Sequence, residues 1–411
     1  MTSKTFNYPA LSEFFRVNQD RDFVVVGAAR GGWYAIRVLR DLGLEPVCVS
    51  DLNAGDGQQL LDVPVYTHEK TFSDYPDAAF VVALLEPDAA KRAQDSIIEN
   101  YDCGAPAALM DEIIHYFMTV IGNRSVDADK YWEALQLYRE KSSGQVTVSP
   151  TLSYVMTEKC TLNCEHCGAF VPDIDDPETF EIASIVSDIE RYCAAFDVVH
   201  HIALQGGEPF LHKGLNRVVE AVAGISNLLF IDIVTNGTID PKDSSMQVIA
   251  GAGVTIVMSD YGEHSPKKEE LIANCSRNKV FLDYHLYTDR LWGAQFPIEK
   301  RNRSPKDNVR TYRECISDVY LCCQLMDGQL HRCSFSNFTN RLGYIPNFPG
   351  DYVDLNSTPE DQLGEEIRKV ALRKGPLKAC DYCPGSERDS VPAGVQLPRK
   401  KKQRRTERQR A

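Results

Sequence analysis

Short apolar runs alternate with longer amphipathic stretches along most of the chain. Asp22–Val26 reads as a buried strand, followed by the turn Gly27–Gly32 and a helix from Trp33 to Leu42 that Gly43 stops. Pro46–Ser50 is a second strand ending at Asp51. Pro64 limits Val65-Tyr66 to a strand start or edge, while Ala79–Leu84 is a stronger strand. After a helical stretch over 126–148, closed by the polar Lys141–Gly144, the alternation resumes. Strands are expected at Leu152–Thr157, Val198–Leu204, Leu228–Thr235, Val254–Ser259 and Val280–Leu286. Helices are expected at Phe180–Phe196, Leu215–Ile225, Met246–Ala252 and Lys267–Cys275. Strands alternating with helices predict parallel sheets, with the chemistry at the strands' C-terminal ends. From Tyr312 the pattern breaks into cysteines and Gly/Pro turns. The expected organisation is an N-terminal extension (1–21), a first α/β unit (22–125), a helical linker (126–148), a second α/β unit (149–311), a metal-stapled region (312–390) and a disordered basic tail (391–411). There are no internal repeats.

Charge changes this picture at one place. The net charge is −13, yet residues 398–411 hold eight Lys/Arg against one Glu, a net +7 that leaves −20 on the rest. An acidic body argues against a nucleic-acid groove and leaves only the tail for polyanion binding or docking. No apolar run is long enough to span a membrane, and the N-terminus lacks the pattern of a signal peptide, so a cytoplasmic location is expected. Thirteen cysteines are then more naturally metal ligands than disulfides. Cys48, Cys103, Cys193 and Cys275 lie in the α/β patterns and are expected in cores.

Directly after the strand Leu152–Thr157 comes Cys160-Thr-Leu-Asn-Cys164-Glu-His-Cys167, a CxxxCxxC segment. Three thiolates on one loop suit a 4Fe–4S cluster with one iron left open; a structural zinc site would call for two pairs of ligands. Three further segments follow at strand ends: Gln205-Gly206-Gly207-Glu208-Pro209, Thr235-Asn236-Gly237-Thr238 and Met258-Ser259-Asp260-Tyr261. Glycines let the backbone approach a ligand, and the short polar groups beside them can bind an amino acid and a ribose. The set, in this order, resembles the radical S-adenosylmethionine (SAM) superfamily. The resemblance implies a partial (β/α)6 barrel over about 150–300. It implies a SAM-binding 4Fe–4S cluster on Cys160, Cys164 and Cys167. It places Gly206, Gly207, Glu208 and Pro209 at the methionyl amino group, and Asn236, Ser259 and Asp260 at the ribose and carboxylate. His166 stands where the family has an aromatic residue near the adenine.

Further on, Cys315, Cys333, Cys380 and Cys383 are spaced like the twitch region, the shortened SPASM domain of radical SAM enzymes. The resemblance makes them the ligands of one auxiliary 4Fe–4S cluster; four cysteines ending in CxxC also suit a Zn(Cys)4 site. Cys322 and Cys323 are spare: packing thiols, a replacement ligand, or, with Tyr261, hydrogen donors to a substrate radical. In the first unit, Gly27-Ala-Ala-Arg-Gly31-Gly32 is a variant of GxGxxG. Gly27 and Gly32 match, Ala29 replaces the middle glycine, and Asp51 stands near the position of a ribose-binding acid. The unit resembles small Rossmann-like modules. Its two readings are a site for a nucleotide or nucleotide-linked sugar, and a scaffold or dimerisation module.

The family's chemistry implies reductive cleavage of SAM to a 5′-deoxyadenosyl radical, with the electron arriving from a flavodoxin- or ferredoxin-type donor. The single auxiliary cluster and the Rossmann-like module point to a carbohydrate, cyclitol or nucleotide-sugar substrate, undergoing oxidation or epimerisation. The alternatives are a SPASM-type maturase of a ribosomally made peptide and a non-enzymatic zinc scaffold.

Overall fold

The computed structural model describes residues 8–101, 106–315 and 322–399. Cys103 and the basic residues 400–411 fall outside the described residues. In the first unit, β1 (Phe23–Val26), β2 (Pro46–Ser50), β3 (Gln59–Leu60), β4 (Val63–Tyr66) and β5 (Ala79–Val82) form a sheet in the order β3-β4-β2-β1-β5. All its pairings are parallel except that of β3 with β4. The run Val24-Val25-Val26 is buried on both faces, as a β-branched run between two helical layers should be.

The second sheet has eight strands. β6 (Thr151–Thr157), β7 (Val199–Gly206), β8 (Leu228–Thr235), β9 (Thr255–Asp260) and β10 (Leu282–Leu286) run parallel. The short β11 (Leu291–Gly293) lies outside this sheet. β12 (Cys322–Met326) joins it parallel to the free side of β6, and β13 (Gln329–His331) and β14 (Tyr352–Asp354) continue it antiparallel. β15 (Ser390–Pro392) pairs antiparallel with β11. The C-terminal cysteine region is therefore not a separate appendage: its first strand supplies a sixth parallel strand to the main sheet.

Pairing register sorts the side chains onto two faces, because residues paired across parallel strands point the same way. Leu152, Tyr154, Ile202, Leu204, Ile231, Ile233, Ile256 and Met258 face the helices Ile182–Ala194, Leu215–Ala223, Asp243–Gly251 and Lys268–Asn278 and form the main core. The opposite, inner face carries Ser153, Gln205, His201, Phe230, Asp232, Val234, Val257, Ser259, Asp283 and His285.

The first unit is built onto this sheet. Tyr131, Ala134, Leu135 and Tyr138 of the helix Ala128–Arg139 share one core with Trp33, Val25, Val198, Leu229 and Phe230. Arg124 is buried and donates to the carbonyls of Ala223, Leu228 and Leu229 at the start of β8. Residues 126–148, expected as a linker, are thus core-forming. Arg30, at the start of the helix Arg30–Asp41, reaches the inner face and pairs with both oxygens of Asp232 at 2.8 Å; His201 Nε2 lies 2.7 Å from the same carboxylate. Among the described residues no helix is long and apolar enough to cross a membrane.

Candidate active site at the strand ends

β6 ends at Thr157, and the loop carrying Cys160, Cys164 and Cys167 leaves from its C-terminal end. The loop is tight: Cys167 N–H donates to Cys164 O (3.3 Å) and Phe170 N–H to Cys167 O (2.9 Å), with His166 and Phe170 at positive φ. β7 ends beside it at Gly206-Gly207. A Cβ on Gly206 would stand 2.2 Å from Thr157 O; one on Gly207 would stand 2.2 Å from Lys159 O and 2.9 Å from Cys160 Cβ. Only glycines let this turn lie against the cysteine loop.

Glu208 follows, fully buried. Its carboxylate accepts from Thr235 Oγ1 (2.9 and 3.0 Å), Asn236 N–H (3.0 Å) and Phe210 N–H (3.1 Å). Burial outweighs these donors and pushes the carboxyl up to about 7. Asn236, just past β8, donates through Nδ2 to Cys160 Sγ (3.5 Å). Ser259 sits half-buried on the inner face at the end of β9. Tyr261, next along, packs against Trp292 and Tyr287 with ring centroids 5.7 and 5.3 Å apart. Asp260 points to the helix-covered face, where Gly262 N–H (2.8 Å), Lys268 (3.1 Å) and the Tyr284 hydroxyl engage it. His166 Nδ1 accepts from Gln295 N–H at 3.3 Å.

Residues 154–278, from β6 through the helix after β9, match the model of the radical SAM superfamily. The chain carries a radical SAM domain. Over 95 residues the chain is 33% identical to a GTP 3′,8-cyclase of Stenotrophomonas maltophilia, 23% of this chain and 28% of that protein. Another 95-residue match is 30% identical to a pre-heme d1 synthase of Dinoroseobacter shibae, 22% of each chain. The chain thus spans less than a third of the length of these relatives. Among solved structures, it is similar to BtrN in complex with AdoMet and 2-DOIA (12% identity, 61% of this chain and 95% of that one, TM-score 0.39). It is also similar to SuiB of Streptococcus suis bound to its precursor peptide SuiA (14% identity, 72% and 84%, TM-score 0.32).

A radical SAM domain holds a 4Fe–4S cluster and SAM, and the residues here fit both. The donors are three thiols, each met by N–H groups: Leu162 N–H (3.4 Å) and Asn236 at Cys160, Gln396 Nε2 (3.0 Å) at Cys164, and the backbone of 169–171 at Cys167. Burial pushes the Cys160 thiol up to about 12 and Cys164 to about 11, so bound iron is what would hold them as thiolates near neutral pH. Among the described residues no three donors converge at the spacing of a single ion. A four-iron cube, which gives each thiolate its own iron, requires no such convergence. Glu208, a buried carboxylate held by neutral donors, suits an ammonium group.

The four C-terminal cysteines come from distant segments, yet Cys315, Cys333, Cys380 and Cys383 line one cavity of about 110 Å³, together with Gly168 and Arg388. Ser336 N–H points at Cys333 Sγ (3.4 Å), Leu377 N–H at Cys380 (3.3 Å), and Gly385 N–H and Arg388 Nη2 at Cys383 (3.4 and 3.5 Å). Gly168 directly follows Cys167, so the cavity abuts the first cysteine loop.

Several expectations are corrected. Cys322 and Cys323 pair with Thr151 and Leu152, at the opposite end of β6 from the cysteine loop. Six residues at about 3.3 Å each put them about 20 Å from Thr157, too far to donate hydrogen to a radical formed at the strand ends. Cys323 is a core thiol against the Tyr192 hydroxyl (3.4 Å). Asp51 is engaged within the first unit by Ala28 N–H and Asn53 N–H, both at 2.8 Å. Gly32 is required by packing: a Cβ there would stand 2.0 Å from Gly27 O. Gly27, at φ +111°, makes the turn. Residues 391–399, expected as part of a disordered tail, are ordered against the cysteine loop. Cys48, Cys193 and Cys275 are buried as expected. Sequence reasoning missed Gln396 and Arg388, which sit in stretches without periodicity and carry no local signal.

Proposed function

We propose that this chain is a radical SAM enzyme that abstracts hydrogen from a carbohydrate, cyclitol or nucleotide-linked sugar. The observation that carries the reading is a row of half-buried polar side chains on the inner face of the sheet, toward the strand ends that carry the cysteine loop. Gln205, Ser259, Asp283 and His285 form it, with Val234 and Val257 between them. A few polar groups among apolar ones, held on rigid strands, suit a polyol that must be oriented hydroxyl by hydroxyl. On the same face, farther from the strand ends, Arg30 and His201 engage Asp232. The GTP 3′,8-cyclases, alike over 95 residues, act by name on a nucleotide. A peptide maturase would be expected to carry a winged-helix recognition unit, whereas the first unit is an α/β unit with a mostly parallel sheet.

In this reading Cys160, Cys164 and Cys167 hold the first cluster, and Glu208 takes the methionyl ammonium. Asn236 and Ser259 position the rest of SAM beside the His166 loop. Together the cluster and SAM, once loaded and reduced, supply a 5′-deoxyadenosyl group able to take a hydrogen atom from carbon. The protein's share is orientation and exclusion of water, with Tyr261 at the strand ends as a hydroxyl that could return a hydrogen. Cys315, Cys333, Cys380 and Cys383 would hold a second 4Fe–4S cluster, which would supply an acceptor for an electron from the substrate. A flavodoxin- or ferredoxin-type protein supplies the electron that starts turnover.

The test is anaerobic. The reconstituted chain should contain about eight iron atoms, as two 4Fe–4S clusters require. With reductant and SAM it should release 5′-deoxyadenosine, and Cys164→Ala should abolish the release. Deuterium should pass into that product from labelled sugars, cyclitols or nucleotide sugars. Stoichiometric zinc without iron, or release indifferent to Cys164→Ala, would overturn the reading. Label arriving only from peptides would replace the substrate class.

A further inference from the structure

The C-terminal segment crosses from the auxiliary region back to the first cysteine loop, and its contacts there are specific. β15 pairs with β11, Ala294 N–H donates to Asp389 O and Ala393 N–H to Arg290 O, both bonds anchoring the segment's start. It turns at Gly394, whose φ is +72°; a Cβ there would stand 2.6 Å from the Tyr261 ring, so the turn lies directly on Tyr261. It then runs antiparallel to the loop. Glu165 N–H donates to Val395 O (2.7 Å), Leu397 N–H to Asn163 O (2.8 Å), and Asn163 Nδ2 to Leu397 O (3.1 Å). Arg399 Nη2 donates to Cys160 O at 3.0 Å and also to Thr161 O.

At the centre is Gln396. Its Oε1 accepts from Asn163 N–H at 2.8 Å, which fixes which end of the amide is which. The Nε2 is therefore turned to Cys164 Sγ, 3.0 Å away, and also donates to Gly394 O at 2.7 Å. We infer that residues 389–399 are a strap that fastens the cysteine loop, and that Gln396 is a positioning residue that sets the reduction potential of the first cluster through Cys164. The inference rests on the proposed reading of Cys160, Cys164 and Cys167 as cluster ligands.

The physical argument is short. Reduction adds negative charge to a cluster and its thiolates. An N–H aimed at a ligand sulfur stabilises the more negative state, and hydrogen bonds to sulfur are among the factors that set such potentials. In a partly buried loop the effect is weakly screened. Loss of the donor makes the cluster harder to reduce while its ligands stay in place.

Two variants of the full chain isolate the donor. Gln396→Glu keeps an oxygen for Asn163 N–H and loses the N–H toward sulfur. Gln396→Met keeps the bulk, with neither donor nor charge. The readout is an electron paramagnetic resonance redox titration of the cluster whose signal changes when SAM is added, with the other cluster as internal reference. At a fixed applied potential the reduced-to-oxidised ratio should fall roughly three- to tenfold in both variants, about 30–60 mV at 59 mV per decade for one electron. The reference cluster and the iron content should not move. Both variants titrating within twofold of wild type would overturn the role of Gln396. A wild-type chain that holds iron but shows no SAM-responsive signal would instead overturn the underlying reading, and this inference with it.

Discussion

Two glycine turns stand at the C-terminal ends of two parallel strands, one in each sheet, and they solve different problems. In the first unit the turn after β1 is closed on itself. Gly31 and Gly32 are glycines because a Cβ would stand 2.0 Å from Ala83 O and from Gly27 O, and the one nearby carboxylate, Asp51, is held by Ala28 N–H. In the second sheet the turn after β7 has the same tight backbone approaches, at 2.2 Å from Thr157 O and Lys159 O. Its carboxylate, Glu208, is fully buried among neutral donors. Glycine spacing alone does not separate a structural turn from a ligand turn. The state of the nearest acid differs between them: Asp51 lies in a partly exposed turn and is held by backbone N–H groups, whereas Glu208 is fully buried and its carboxyl is pushed up to about 7 despite its donors, an environment that suits a cation.

Substituting one glycine from each turn should break the comparison most sharply. Gly207→Ala must push Lys159 and Cys160 aside, so the first cluster should be lost, read as iron falling toward half the wild-type content in a chain whose far-ultraviolet dichroism is unchanged. Gly32→Ala should leave the iron in place and lower stability by about 1–3 kcal/mol, the scale of an overpacked site with backbone shift, read by denaturant unfolding. Iron loss in Gly32→Ala with none in Gly207→Ala would reverse the assignment of the two turns.

A milder change sharpens it. Glu208→Gln removes the negative charge without changing the shape, and should weaken SAM binding at least tenfold by isothermal calorimetry, as loss of a charge-assisted hydrogen bond of about 1.5–3 kcal/mol requires. It should also act on the chain without SAM. Burial holds this carboxyl at about 7, above its ordinary 4.5, so the protonated form favours folding. That contribution is complete below about pH 4.5 and is lost as pH rises through about 7. Stability of the SAM-free chain should therefore decline across this window, and Gln at 208 should flatten the decline. The smallest effect belongs to Asp51→Asn, about 1 kcal/mol of stability from one weakened hydrogen bond, with SAM binding unaffected.

Local patterns were legible and partnerships were not. Leu228–Thr235 forms a strand with the boundaries its apolar run predicts, and CxxxCxxC sits on the loop after β6 as expected, because both depend on residues close in sequence. β12 escaped notice because Cys322–Met326 is short, begins with two cysteines and finds its partner β6 about 170 residues earlier; nothing in five residues encodes a distant register. The strap was hidden by composition, since a Pro/Gly-containing stretch leading into a basic run reads as a tail. The stretch 126–148 reads as a linker when taken alone, yet Tyr131 and Tyr138 bury their rings in a core drawn from both units.

That shared core bears on how this protein could have been assembled and how it can be dissected. A module joined by a linker can be exchanged, expressed alone or lost. Here a cut near residue 148 would bare Val198, Leu229 and Phe230 on one side and Trp33 and Tyr131 on the other, and would leave Asp232 without Arg30. The N-terminal unit and the second sheet thus share one core, and dividing the chain there would expose it on both sides.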